Sequence, residues 1–196
     1  MKRLFDIIGA TLGLLALSPL LLLAVIIIKR GSRGPVFFTQ ERIGRGGAPF
    51  KLYKFRTMNI GAEQAGTVSL KHDPRVFAGA HFLRKFKLDE LPQLLNVLNG
   101  TMSLVGPRPT VREDYERMNA TQRRRTVVPP GLTGLAQISG NTGLSWPARI
   151  KYDLLYVEEH NLLLDLGIIV NTAWLIFRNR VETHPAGEDE WAEEEK

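Results

Sequence analysis

The sequence predicts a membrane-associated protein of α/β or α+β class, and three observations carry that reading. An uncharged apolar stretch of 22 residues lies near the amino terminus, from Ile7 to Ile28. Two short runs of β-type sequence follow it around a glycine-rich turn, and the rest is mostly helical-period or turn-rich sequence. A chain of 196 residues with 44% hydrophobic content is long enough to bury one compact core beside a membrane element.

Charge narrows the partners. The formal net charge is +6, but residues 182–196 hold seven acids and one lysine, so the rest of the chain carries a net of +12. Such a body favours anionic partners, whether lipid headgroups, phosphorylated substrates or nucleic acid. The absence of cysteine excludes a disulfide framework, thiolate zinc sites and a thiol nucleophile, and fits a reducing compartment. His72, His81, His160 and His184 lie too far apart for a local histidine metal site.

As a helix, the apolar run is roughly 33 Å long, against about 30 Å for a bilayer core. A cleaved signal peptide is a poorer reading, because no A-x-A-like site follows and Lys29, Arg30 and Arg33 come next. Ser18 and Pro19 interrupt the run. Pro19 cannot donate to the Leu15 carbonyl and its ring crowds that turn, so a kink is expected there. Lys2 and Arg3 precede the run as well, and the positive-inside tendency asks both ends to stay on the cytoplasmic face. A helix-break-helix that re-enters the same face satisfies this, with Ser18 serving the freed backbone groups. Proline is also tolerated in spanning helices, so these residues leave a straight span open.

Beyond the membrane element, PVFFTQERIG and FKLYKF read as two strands joined through RGGAP into a hairpin. The RIGRGGAP segment lacks a P-loop's GK[ST] ending and is read as that hairpin's turn. Residues 57–75 lack periodicity and form a long loop. Phe82 to Leu98 has near-helical spacing that stops at Asn99-Gly100, with a kink or a new helix near Pro92. GPRP at 106–109 forces extended or turn backbone. Arg112 to Arg125 reads as a charged helix, VVPPGLTGLAQISG as turns with a short strand, and Trp146 to Glu159 as a helix. Leu162 to Phe177 is apolar but interrupted by Asp165 and Asn171. It either packs on the core or lies at a membrane interface, for which Trp174 is suited. The acidic tail is expected to be disordered.

Asp89 and Glu90 sit just ahead of Pro92. Taken alone, they read most simply as a helix N-cap and a first-turn acid. Their setting changes that reading. LFDIIGA, LSPLLLL, GPVFFTQERIGRGG, FKLYKFRTM, LRKFKLDELPQLLNVLNGTMSLVGPRP and PGLTGLAQISG run in order over about residues 2 to 180. Together they resemble the bacterial sugar transferase family, the monotopic phosphoglycosyl transferases, in its small minimal-domain form.

The resemblance implies that Asp89 and Glu90 are catalytic. Asp89 would be the nucleophile toward the β-phosphorus of a UDP-sugar and the contact for Mg2+, with Glu90 assisting or orienting. UMP would leave, and polyprenyl (undecaprenyl) phosphate would then take the phosphosugar from the enzyme, the first membrane step of exopolysaccharide or glycoconjugate assembly. A carboxylate attacking a diphosphate needs cations to offset the phosphate charge. The family motifs offer Lys54, Arg56, Arg84 and Arg108, the last with its backbone fixed by flanking prolines.

The resemblance also favours the re-entrant form broken at Ser18 and Pro19. That form holds the active site on the cytoplasmic face of the bacterial inner membrane, where a soluble donor meets a membrane lipid acceptor. The implied organisation is a membrane helix over 1–30, a transferase domain over 31–181 and the tail over 182–196. Asn141 stands where many family members carry arginine, which puts a charge contact there in doubt. Asp153 and Asp165 also match family positions, though helix-face or capping roles account for them equally well. The competing reading is a non-catalytic, membrane-anchored basic module that binds anionic lipid or nucleic acid. No nucleic-acid motif is present and no aromatics interleave with a basic stripe, so nucleic acid is not an expected partner.

Overall fold

The computed structural model describes residues 1–62, 73–140 and 143–178. Asn141, the 182–196 tail and the middle of the 57–75 loop lie outside the described residues.

The apolar run forms two helices, α1 (Lys2–Ala16) and α2 (Ser18–Gly31), bent by 60°. Pro19 occupies the first turn of α2, where a helix has no use for its missing N–H. The Ser18 hydroxyl donates to the Leu15 carbonyl at 2.8 Å, the acceptor that the proline leaves open. Among the described residues no single helix is long and apolar enough to cross a membrane; only when the two arms of the bent pair are taken together do length and composition reach that mark.

β1 (Phe37–Ile43) and β2 (Pro49–Phe55) form the expected antiparallel hairpin, with Phe37 opposite Phe55 and Ile43 opposite Pro49. A single 3-10 turn over Arg45–Gly47 joins them, with Gly46 and Gly47 at φ 67° and 80°.

The helical spacing from Phe82 to Leu98 resolves into three pieces instead of one kinked helix. They are α3 (Ala80–Lys85), a 3-10 turn at Leu88–Glu90, and α4 (Gln93–Asn99), which ends at Gly100 with φ 86°. A new helix does start after Pro92, but a second break falls at Lys87, at φ 56°. The break lets Leu83 and Leu88 bury against the α2 side while Leu94 and Val97 enter a different cluster. The expected Arg112 to Arg125 helix likewise divides, into α5 (Arg112–Arg117) and α6 (Ala120–Arg123), followed by a 3-10 turn. Met118 is buried and extended, and Asn119 and Gln122 cap α6 reciprocally.

Two three-residue strands, β3 (Ser103–Val105) and β4 (Gly131–Thr133), pair in parallel with Ser103 opposite Gly131. A short α7 (Leu135–Ile138) leads to α8 (Trp146–Glu159) and α9 (Leu162–Phe177), both with the bounds the sequence predicts. Helix α9 packs on the core through Asp165 and Ile168, which are buried, while Leu163, Trp174 and Phe177 are exposed.

The architecture is therefore a mixed one of helices and two small sheets. One apolar cluster joins Ala10 of α1 to Leu94, Val97, Val105, Tyr156 and Ile168; the other joins Ala24 and Ile28 of α2 to Phe55, Phe77, Leu83 and Leu88. Each arm of the helix pair thus contributes to a core of the same body.

Candidate active site

The break at Lys87 sets the geometry of the acidic pair. Asp89 and Glu90 lie on a 3-10 turn, so their side chains diverge by about 120°, more than the 100° an α-helix would give. The two carboxylates consequently enter different surroundings.

Glu90 is held from two elements. Its Oε1 accepts from Arg108 Nη2 at 2.8 Å and from Lys54 Nζ of β2 at 3.2 Å, and its Oε2 accepts from Arg108 Nη1 at 3.4 Å. Asp89 is held by much less: its Oδ1 is buried with no hydrogen-bond partner. The capping role is not realised, because Pro92 is the N-cap of α4 and neither α4 nor the 3-10 turn has a side-chain cap.

These surroundings drive the two acids apart electrostatically. Burial, then the neighbouring Glu90 charge, raises the Asp89 carboxyl above the usual aspartate range, against the pull of Lys54, Lys87 and Arg84. Burial also works to raise Glu90, but Arg108, Lys54 and Lys87 together hold it well below the usual glutamate range. Burial lowers Lys54, with Glu90 opposing, while the Glu90 charge raises Arg108. One carboxylate is a fixed anion that organises cations. The other is partly desolvated and carries an oxygen without a hydrogen-bond partner, a condition that leaves a carboxylate more reactive.

Four of the sequence candidates, Asp89, Glu90, Lys54 and Arg108, are thus brought together, and the charge of Arg84 on α3 also acts on Asp89. Arg56 is placed elsewhere. It is buried, and donates to the Pro35 carbonyl at 2.7 Å, the Ser32 hydroxyl at 2.8 Å, and the Ser32 and Met58 carbonyls at 3.1 and 3.2 Å. It thereby fastens the end of α2 to the entrance and exit of the hairpin, and none of these bonds reaches the carboxylates.

Three basic residues escaped the sequence reading. Lys87 pulls on both carboxyls. Arg42 of β1 is lowered to about 10, by burial first and then by the adjacent Arg108 charge. Arg125 is buried, pairs with Asp153 at 2.6 Å and donates Nη2 to the Arg108 carbonyl at 2.8 Å. It fixes the backbone from which Arg108 reaches Glu90. In the sequence it sits in an Arg-Arg-Arg run that looks like a solvated face. Glycines admit the loop: a Cβ on Gly131 would lie 2.1 Å from the Gly106 nitrogen.

No group of three or more metal-ligating side chains occurs among the described residues. Asp89 Oδ1 is enclosed without a hydrogen-bond partner, whereas both Glu90 oxygens accept from Arg108. Magnesium is commonly held by one or two carboxylates together with substrate phosphates, so this single oxygen fits such an ion.

A family model described as bacterial sugar transferase matches residues 1–179. The exopolysaccharide production protein ExoY of Sinorhizobium fredii is 41% identical over 187 residues, covering 87% of this chain and 83% of ExoY. EpsL of Bacillus subtilis, called an uncharacterized sugar transferase, is 41% identical over 172 residues, with 88% and 85% covered. A UDP-glucose:undecaprenyl-phosphate glucose-1-phosphate transferase of Klebsiella pneumoniae is 43% identical over 188 residues, covering 91% of this chain but 40% of that protein. The order of motifs, the clustering of the acidic pair with Lys54 and Arg108, and a match over nearly the whole chain lead to one conclusion: the chain belongs to the bacterial sugar transferase family.

Proposed function

We propose that this chain transfers a phosphosugar from a UDP-sugar to polyprenyl (undecaprenyl) phosphate, releasing UMP, by way of a covalent aspartyl intermediate. The observation that carries this reading is the unequal acidic pair: Glu90 locked by Arg108 and Lys54, Asp89 half-buried with its Oδ1 unpartnered. The relatives supply the substrate class, since the Klebsiella protein is named for UDP-glucose and undecaprenyl phosphate.

An Asp89 oxygen bonds to the β-phosphorus as the bond to the bridging oxygen breaks, and the electron pair departs with UMP. A phosphate oxygen of the polyprenyl carrier then attacks the same phosphorus, and the Asp89 carboxylate leaves. Lys54 and Arg108, aligned by Glu90, face the phosphate oxygens and offset their charge. Asp89 is the residue that would hold Mg2+; when bound, the ion supplies further neutralisation of the diphosphate. Activity is expected to be lost on thorough chelation and restored by added magnesium, and activity that survives chelation unchanged removes the ion from the account.

The helix pair sets this site at a membrane surface as a re-entrant element over residues 1–30, with the transferase domain over 31–181. Both of its arms pack into one body, while Leu12, Leu15 and Leu22 near the bend are 60, 68 and 62% exposed. A straight span would carry the Lys2 and Arg33 ends to opposite faces. The proposed location is the cytoplasmic face of the bacterial inner membrane.

The test is UMP release from a panel of UDP-sugars, with polyprenyl phosphate and magnesium, by the intact protein and by Asp89→Asn in nanodiscs. Release by the intact protein that drops at least about a thousandfold in the variant is expected. Release that persists in the variant removes Asp89 as nucleophile.

A further inference from the structure

We propose that the first turn of α1 is a charged clip, in which the Lys2–Asp165 bond positions the membrane helix pair for use of the lipid acceptor without acting on donor chemistry. The proposal rests on the function proposed above.

Within five residues, α1 reaches three separate parts of the body. Lys2 Nζ lies 2.6 Å from Asp165 Oδ2 of α9, a carboxylate with 0% exposure. The other oxygen of Asp165 accepts from the Tyr156 hydroxyl of α8 at 2.7 Å, and that hydroxyl also lies 3.0 Å from the Val105 carbonyl of β3. Arg3 donates to the Val97 and Leu98 carbonyls in the last turn of α4, the former also accepting from the Gly100 amide at the helix end. Asp6 is buried and accepts from the Ser103 hydroxyl at 2.9 Å and the Leu104 amide at 3.0 Å.

These contacts exceed what a topology signal requires. A cation that acts only through the positive-inside tendency works from solvent, whereas a carboxylate as enclosed as Asp165 calls for a polar partner inside the fold. Lys2 is that partner. The Lys2 side chain is 26% exposed, so the pair sits at the rim of the body.

The position of the clip separates two effects. Helix α4 begins just after Glu90, and β3 leads to Arg108, so α1 is braced against both segments that carry the site. Yet among the described residues no side chain of the clip hydrogen-bonds to Asp89, Glu90, Lys54 or Arg108. Donor chemistry depends on those four. The acceptor's phosphate arrives at headgroup level, so its access depends on how the helix pair sits in the leaflet.

The experiment uses the full chain in nanodiscs, with Lys2→Met, Asp165→Asn and the double variant. Donor chemistry is read as exchange of labelled UMP with UDP-sugar in the absence of acceptor. Acceptor use is read as kcat/KM for polyprenyl phosphate. Exchange is expected to stay within about twofold, while acceptor kcat/KM falls about tenfold through a raised KM in each single variant. The double variant is expected to be no worse than the poorer single, because both remove one interaction. Exchange and transfer falling in proportion, multiplying single effects, or unchanged acceptor kinetics each overturn the clip. Lys2→Met, at the rim, keeps the test open if Asp165→Asn fails to fold.

A second readout needs no turnover. The chain has no cysteine, so a spin label on Leu22→Cys reports the depth of the bend in vesicles. A depth shift of several ångströms on adding Lys2→Met supports the clip, and an unchanged depth overturns it. Protein that shows this shift but neither exchange nor transfer refutes the proposed function and leaves the clip standing.

Discussion

Asp89 combines a poor position for stability with a good one for chemistry. Its carboxyl is raised above the ordinary value of 3.8, so the folded state holds its proton more tightly than the unfolded chain does. Ionising it therefore costs folding stability as pH rises from the unfolded value through the folded one. Asp89→Asn is expected to melt above the parent at neutral pH, with the difference vanishing in acid where both side chains are neutral; calorimetry across pH checks this. Activity should follow the opposite course, rising with pH as Asp89 ionises. Glu90 has the reverse sign. Its depressed value contributes stability above its unfolded value of 4.5 that is lost as pH falls through the folded one. Glu90→Gln is expected to cost roughly 1–3 kcal/mol at neutral pH, measured by denaturant unfolding, because Arg108 and Lys54 lose their shared anion. At this scale the motifs made Asp89, Glu90, Lys54 and Arg108 legible. Lys87, Arg42 and Arg125 were not, because their parts follow from a backbone break, a strand pairing and a buried ion pair that leave no local pattern.

Among the elements, those with a sustained period matched the sequence reading. The hairpin strands alternate, and α8 and α9 run for 14 and 16 residues, long enough for their spacing to be read without tertiary context. β3 and β4 are three residues each, too short for any period, and their pairing depends on contacts distant in sequence. The breaks at Lys87 and Met118 were hidden for a related reason: helical spacing persists across both, and burial in different clusters decides where the chain turns. The Arg108 loop is the most demanding of these arrangements. Gly131→Ala is expected to abolish UMP release with loss of the β3–β4 pairing, since its Cβ would meet backbone atoms of Gly106 that cannot move aside. Arg125→Met should cost about 3–5 kcal/mol by stranding the buried Asp153 charge. It should also raise KM for the UDP-sugar as the Arg108 backbone loses its tether. An Arg125→Met enzyme with parental stability and KM would contradict that role.

At the scale of the whole molecule, two apolar clusters, each entered by one arm of the bent helix pair, tie that pair to the body that carries the acidic site. The sequence located the break at Ser18 and Pro19 but left span and hairpin open, because proline chemistry is the same in both. The packing of both arms into one body is information that only the fold carries. Cysteines introduced at positions 2 and 33 are expected to react with an impermeant reagent from the same face of the membrane. Reaction from opposite faces would establish a straight span.

The central claim is that Asp89 carries the phosphosugar between donor and acceptor. It is tested most directly by intact-protein mass spectrometry after incubation with the UDP-sugar and magnesium in the absence of polyprenyl phosphate. The account predicts a mass increase of one phosphosugar that maps to Asp89, disappears on adding polyprenyl phosphate and never forms in Asp89→Asn. UMP release without any adduct, or an adduct on another residue, would contradict it.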